Sequence, residues 1–275
     1  MRSLIIALAA LLAVACPAAD RVGRFGISLG GGYDTLAMGD ANSHGGAESL
    51  HSGSLLLDEA MAGSTGSIQS GAGLDLGLHY RALANLSLGL EASYLMPQAR
   101  ETSASFPTFI GPTVAGVSPA DWDYTVYERY NALETLLRAD GVLPLGDFDL
   151  RLGGGLGWAW LCGASISSNL PQAVADSNKA NLPYGPGGSL VSVTVPKSQD
   201  VLLYGNAPCF RLGAGVDWWI DSHFSLGLDA GWRWCKITQV TMAQGGSGIL
   251  KHYDGSSLEL DYSGFTSGLK GTFWF

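Results

Sequence analysis

Apolar and polar residues alternate with a period of two along most of this chain. Phe25, Ile27, Leu29, Gly31 and Tyr33 alternate with Gly26, Ser28, Gly30 and Gly32. Ala72, Leu74, Leu76, Leu78 and Tyr80 alternate with Gly71, Gly73, Asp75, Gly77 and His79, and Leu86, Leu88, Leu90, Ala92 and Tyr94 with Ser87, Gly89, Glu91 and Ser93. The same period runs through Phe148, Leu150, Leu152, Gly154, Leu156, Trp158 and Trp160, and through residues 210–220, 224–234 and 264–275. Successive side chains of a β-strand leave opposite faces, so this period predicts strands. Residues 128–142 are noisier, because Leu133-Glu134-Thr135-Leu136-Leu137 alone also fits a helix. Their place between two clear strands favours an eighth strand.

The links between these strands alternate in length. Short ones fall at residues 81–85, 143–146 and 221–223, and long ones at 34–69, 97–127, 161–202 and 237–257. A soluble sandwich has no reason to gather every long loop at one end, whereas a membrane barrel pairs short periplasmic turns with long extracellular loops. The apolar face also ends in aromatic residues at both sides. Phe25, Tyr80, Phe148, Trp218, Phe224, Phe273 and Phe275 fall at the short-turn ends, and Tyr33, Tyr94, Trp158, Trp160, Phe210, Trp232 and Trp234 at the others. Eight to ten residues separate the two sets, roughly 20–25 Å once the strands tilt, which suits an apolar band between two interfacial girdles. The expected fold class is all-β: an eight-stranded antiparallel up-and-down transmembrane β-barrel over residues 20–275.

Composition sharpens this picture. Gly accounts for 39 of 275 residues, and charged residues for 14%, against about 25% in soluble domains. Residues 1–15 read as a cleaved signal peptide: Arg2, an eleven-residue apolar run at 4–14, then Ala13-Val14-Ala15. Cleavage as late as residue 19, or a lipid on Cys16, remain alternatives. The net charge of −9 becomes −10 when Arg2 alone among the charges is removed. That sign argues against nucleic acid as a partner.

The chain ends in Gly271-Thr272-Phe273-Trp274-Phe275. With eight strands and a signal segment, it resembles the small eight-stranded outer-membrane barrels of Gram-negative bacteria, such as the transmembrane part of outer membrane protein A and related porin-like barrels. The resemblance implies residence in the outer membrane among lipid and lipopolysaccharide. It also implies insertion by the barrel-assembly machinery, with Phe273 and Phe275 as the signal read.

The inward face is expected to carry Asp75, Glu91, Glu134, Arg138, Asp140, Asp149, Arg151, Arg211, Asp217, Asp229, Arg233 and Lys270. An eight-stranded barrel is just wide enough for side chains to fill it, and charges enclosed there should pair. A turn centred on Ser222 sets Arg211 opposite Arg233 and Gly215 opposite Asp229. One centred on Leu83 sets Asp75 opposite Glu91 and His79 opposite Ser87. The inward glycines, among them Gly30, Gly32, Gly153, Gly155 and Gly157, leave a lumen open or make room for Arg side chains. The second is the favoured reading.

The Ser222 register also places Cys209 opposite Cys235, the preferred disulfide in an oxidising compartment, with Cys162–Cys209 as the alternative. No catalytic, cofactor or metal residues stand out. The histidines His44, His51 and His252 sit in Ser-rich links without a G-x-S-x-G or H-E-x-x-H motif. The expected function is structural or surface-interaction, with the interior plugged by charged side chains and the surface ligand unknown. A passive channel for a small or hydrophobic solute is second, and a lipid-modifying enzyme third.

Overall fold

The computed structural model describes residues 21–42, 50–51, 67–107, 121–169, 199–242, 249, 251–252 and 255–275. The expected signal segment and Cys16 lie outside the described residues. In chain order the strands are β1 (Phe25–Thr35), β2 (Leu50–His51), β3 (Ser70–Leu83), β4 (Leu86–Pro97), β5 (Arg100–Pro107), β6 (Asp121–Arg129), β7 (Ala132–Leu145) and β8 (Phe148–Leu161). They continue as β9 (Ala164–Ser168), β10 (Gln199–Tyr204), β11 (Asn206–Trp219), β12 (Phe224–Ile237), β13 (Thr241–Met242), β14 (Lys251–His252), β15 (Leu260–Asp261) and β16 (Gly264–Trp274).

Eight strands close into one antiparallel barrel. Its order is β1-β3-β4-β7-β8-β11-β12-β16, and β16 returns to β1. Each barrel strand pairs with the barrel strands before and after it in the chain, so the path is up and down, and closure leaves no unpaired edge. The links β3–β4, β7–β8 and β11–β12 are tight. Gly146 takes φ 66° in the second of them, a left-handed conformation that glycine adopts without strain. The Phe275 backbone N–H donates to Phe25 O at 2.8 Å, which brings the two barrel termini to this turn end.

The β11–β12 register matches the Ser222 arithmetic: Cys209 faces Cys235, Arg211 faces Arg233, and Gly215 faces Asp229. The β3–β4 register does not match a turn at Leu83. Asp75 faces Ser93, Gly77 faces Glu91 and His79 faces Gly89, with an irregularity between Arg81 and Leu83. The chain turns one residue later, at Ala84-Asn85. Moving a turn centre by one residue moves each partner by two, so every side chain keeps its face while its opposite number changes.

The other correction lies at the loop end. The link pattern predicts loops at 97–127 and 161–202, yet β5, β6, β9 and β10 run through these segments. With β13 they form a second sheet in the order β13-β10-β9-β6-β5. The expected strand over 128–142 is two, broken at Tyr130 and Asn131. The inward side of this end is an apolar core: Met38, Val126, Ile166, Ile237, Leu260 and Tyr262 are fully buried. Each such side chain contributes about 1.5–3 kcal/mol relative to exposure in water. The conventional hydrophobic core therefore sits at one end of the barrel, as a cap.

Candidate functional site: the barrel interior and its two ends

All twelve charges expected inside stand at inward positions of the barrel strands, where the period of two points them at one another. Near the turn end, Arg151 pairs with Asp217 at 2.6 Å and Asp229 at 2.8 Å, and Lys270 reaches Asp229 at 3.2 Å. Above them Arg138 holds Glu91 at 2.9 Å and Asp140 at 3.0 Å, while Arg211 bridges Glu91 and Glu134, both at 2.6 Å. Arg233, wholly buried, completes the ladder with Asp34 at 3.6 Å and Glu134 at 3.8 Å, and its Nε donates to Tyr262 O at 2.9 Å. Asp75 accepts a hydrogen bond from Ser93.

Three members of the network escape a reading of the sequence. Asp34 and Arg81 lie at strand ends that the pattern assigns to links, and Arg21 precedes the first strand. Asp34 adds one acid and the two arginines two bases, which moves the enclosed set closer to neutrality. Pairing matters here because an uncompensated buried charge costs several kcal/mol.

The glycines make room for these side chains. A Cβ on Gly155 would lie 3.0 Å from Arg138 Cγ, and one on Gly215 would lie 2.8 Å from Arg151 Nη2. Gly32, Gly73 and Gly268 instead line a cavity of about 50 Å³ among Asp34, Asp75, Glu91 and Arg211. That volume holds a few waters.

The turn end is floored. Asp149, fully buried, accepts from Arg21 Nη1 at 2.9 Å, Arg81 Nη1 at 3.2 Å and the Trp219 indole N–H at 2.9 Å. Trp219 stacks on Trp274 with ring centroids 5.2 Å apart, and the Trp274 indole donates to Ser225 Oγ at 3.0 Å. Phe273 and Phe275, the expected assembly signal, project outward and meet edge to face at 5.1 Å.

At the opposite end, outside the membrane-facing stretch, Arg100 pairs with Glu128 and donates to Ala41 O at 2.7 Å. Tyr130 OH donates to Glu128 at 3.1 Å, and Tyr262 OH donates to Tyr130 O at 2.7 Å. Burial pushes both phenols well above the usual tyrosine range, and the Glu128 carboxylate adds to this for Tyr130. The folded state therefore holds these protons more tightly than the unfolded chain. Their contribution is fully present below about pH 10 and falls as pH rises beyond the unfolded value. Alkaline titration of tyrosinate absorbance should show two phenols that ionise only when the cap unfolds; two early-titrating phenols at these positions, identified by Tyr→Phe variants, would contradict the buried pair.

His79 Nε2 lies 2.8 Å from Ser28 Oγ, not near Ser87, and both residues are enclosed beside the floor. Among the described residues no group of three or more His, Cys, Asp or Glu could hold a metal. His44 lies outside the described residues, and His51 and His252 stand on β2 and β14 opposite Lys251 and Leu50.

The expected disulfides are not formed: Cys162, Cys209 and Cys235 are free thiols. Cys209 and Cys235 face each other in register, but directly opposed strand positions set their Cβ atoms about 4.5–5.5 Å apart. A relaxed disulfide needs about 3.5–4.5 Å. Cys162 is exposed in the link after β8, while Cys209 is buried on β11.

The outward face is the reverse of a soluble protein's. Leu152 is 72% exposed and Leu137 70%, while Asp149 and Glu134 behind them are 0% exposed. Leucines encircle the barrel between Phe25, Tyr80, Phe148, Trp218, Phe273 and Phe275 at the turn end and Tyr33, Trp158, Trp160, Trp232 and Trp234 at the loop end, all substantially exposed. An apolar surface that continuous is stable only against hydrocarbon. The chain is a transmembrane β-barrel.

Solved structures of similar shape are outer-membrane proteins. The barrel can be superposed on outer membrane protein OprG from Pseudomonas aeruginosa at 12% identity, covering 92% of this chain and 96% of that one, with a TM-score of 0.41. Neisserial surface protein A matches at 12% identity over 90% and 97%, with a TM-score of 0.37. The protease OmpT from Escherichia coli matches at 9% identity over 92% and 96%, with a TM-score of 0.38. No protein-family model and no curated protein matches the sequence.

Proposed function

We propose that this barrel is an integral outer-membrane protein of a Gram-negative cell with a structural and surface-interaction role, its tight turns in the periplasm and its four long links outside. The observation that carries the reading is the filled interior: a ladder of ion pairs from Asp149 to Asp34, closed at the loop end by the apolar cap. A chain that spends its lumen on side chains has its chemistry left to the parts that project. The second sheet, β13-β10-β9-β6-β5, gives the described parts of the long links a packed base, which suits contact with lipopolysaccharide, other cells or host ligands. Outer-leaflet lipid surrounds the band, and the assembly machinery reads Phe273 and Phe275. No catalytic step is assigned to it.

Single-channel recording of the purified barrel in planar bilayers tests this reading. The expected trace is flat, because the ion-pair ladder and the apolar cap occupy the lumen. Steady, reproducible conductance steps would replace the plugged barrel with a passive channel.

A further inference from the structure

The turn end of the interior is closed by residues that do not belong to the barrel wall. Residues 21–24 run beneath the mouth before β1 begins. The Gly23 N–H donates to Arg81 O at 2.8 Å, and the Arg81 N–H donates to Arg24 O at 3.0 Å, which clips the segment to the end of β3. From there Arg21 crosses to the far side. It donates to Asp149 on β8 at 2.9 Å and to Gly146 O in the β7–β8 turn at 2.8 Å, and its guanidinium lies 4.4 Å over the Trp219 ring on β11. Arg24 donates to Ser222 O in the β11–β12 turn. In the barrel order β3 stands three strands from β8 and four from β11, so the segment spans close to a full diameter. The indoles of Trp219 and Trp274 occupy the part of the mouth beside β11 and β16, and Arg21 crosses the part between β3 and β8.

Three features let the Arg21 end of this segment swing away from its clip at Gly23 and Arg24. Asp149 offers Oδ1 to Arg21 and Oδ2 to Arg81 and Trp219, so it keeps a cationic partner from the wall when Arg21 leaves. Val22 is exposed and supplies no apolar anchor. A hollow of about 460 Å³ opens between the segment and the β11–β12 turn, giving the strap space to swing.

We propose that residues 21–24 are a stopper for the turn-end mouth, pinned by Arg21, that controls access of water and small ions to the interior. Calling that mouth periplasmic rests on the orientation proposed above; the stopper itself does not.

The test places a reporter thiol just above the floor by the substitution Ser28→Cys, in a full chain whose own cysteines are replaced by Ser. The probe is a small, charged, membrane-impermeant methanethiosulfonate, applied to folded protein in micelles, where both ends are reachable. Arg21→Ala should raise the rate at which the reporter is modified at least tenfold over the parent, while Val22→Ala leaves it unchanged. Arg21→Gln provides a second removal of the pin, and retention of the compact heat-modifiable band on gels certifies that each variant is folded. Equal rates in parent, Arg21→Ala and Arg21→Gln overturn the stopper, as does a reporter that reacts in none of them. Repeating the reaction on intact cells and on opened cells separates the two ideas: acceleration only after opening supports a periplasmic mouth, and acceleration on intact cells keeps the stopper but inverts the orientation.

Discussion

Replacing Arg211 by Met should destabilise the folded barrel by about 3–5 kcal/mol, the usual consequence of leaving a buried carboxylate without its partner. Among the described residues, Arg211 is the one side chain that joins Glu91 to Glu134, each at 2.6 Å. Glu91 would keep Arg138 at 2.9 Å, but Glu134, wholly buried, would be left with Arg233 at 3.8 Å. The double variant Arg211→Met with Glu134→Gln should recover much of the loss, because the orphaned charge is gone. Removing Lys236, itself exposed where it meets Glu259 and Asp261, should leave the unfolding midpoint nearly where it was. Urea unfolding in lipid vesicles, followed by tryptophan fluorescence, measures all three. A loss in Arg211→Met no larger than in the Lys236 variant would mean that the ladder is hydrated and does not hold the strands together.

Leu152→Arg carries the second large effect, about 2–4 kcal/mol, because a charge at the bilayer midplane has no water to solvate it. Leu152 is 72% exposed and lies well inside β8, between the girdle residues Phe148 and Trp158. The same substitution at Phe148, at the interface, should cost only about 0–1 kcal/mol. In a water-soluble barrel both positions would accept Arg with little change. Urea unfolding of the two variants in vesicles reads the difference. A penalty that grows with depth would locate the band directly; equal penalties at the two positions would remove the case for a membrane-spanning face.

The legibility of this protein in its sequence divides along physical lines. Strand period, the eight-strand count, the inverted faces and the aromatic ends follow from local geometry, since a period of two assigns each side chain a face without knowledge of its neighbours. For the same reason every expected interior charge, from Asp75 to Lys270, stands at an inward position. Register was legible only where the turn was unambiguous: the Asp221-Ser222-His223 turn aligned Arg211 with Arg233, whereas the irregularity after Arg81 moved Asp75 from Glu91 to Ser93.

Closure decided the rest. Which carboxylate an arginine reaches depends on strands that are distant in sequence, as with Arg211 and Glu91, 120 residues apart, or Arg21 and Asp149, 128 apart. Asp34 and Arg81 sit at strand ends, where periodicity fades, and Arg21 precedes the first strand, so only the closed barrel could enrol them. The second sheet and its cap were hidden because β5, β6, β9 and β10 find their apolar neighbours in one another and in residues such as Met38 and Tyr262 that come from opposite ends of the chain. The sequence by itself determined which way each residue faces; the tertiary structure alone determined what it meets, because pairing across a closed barrel is a non-local property.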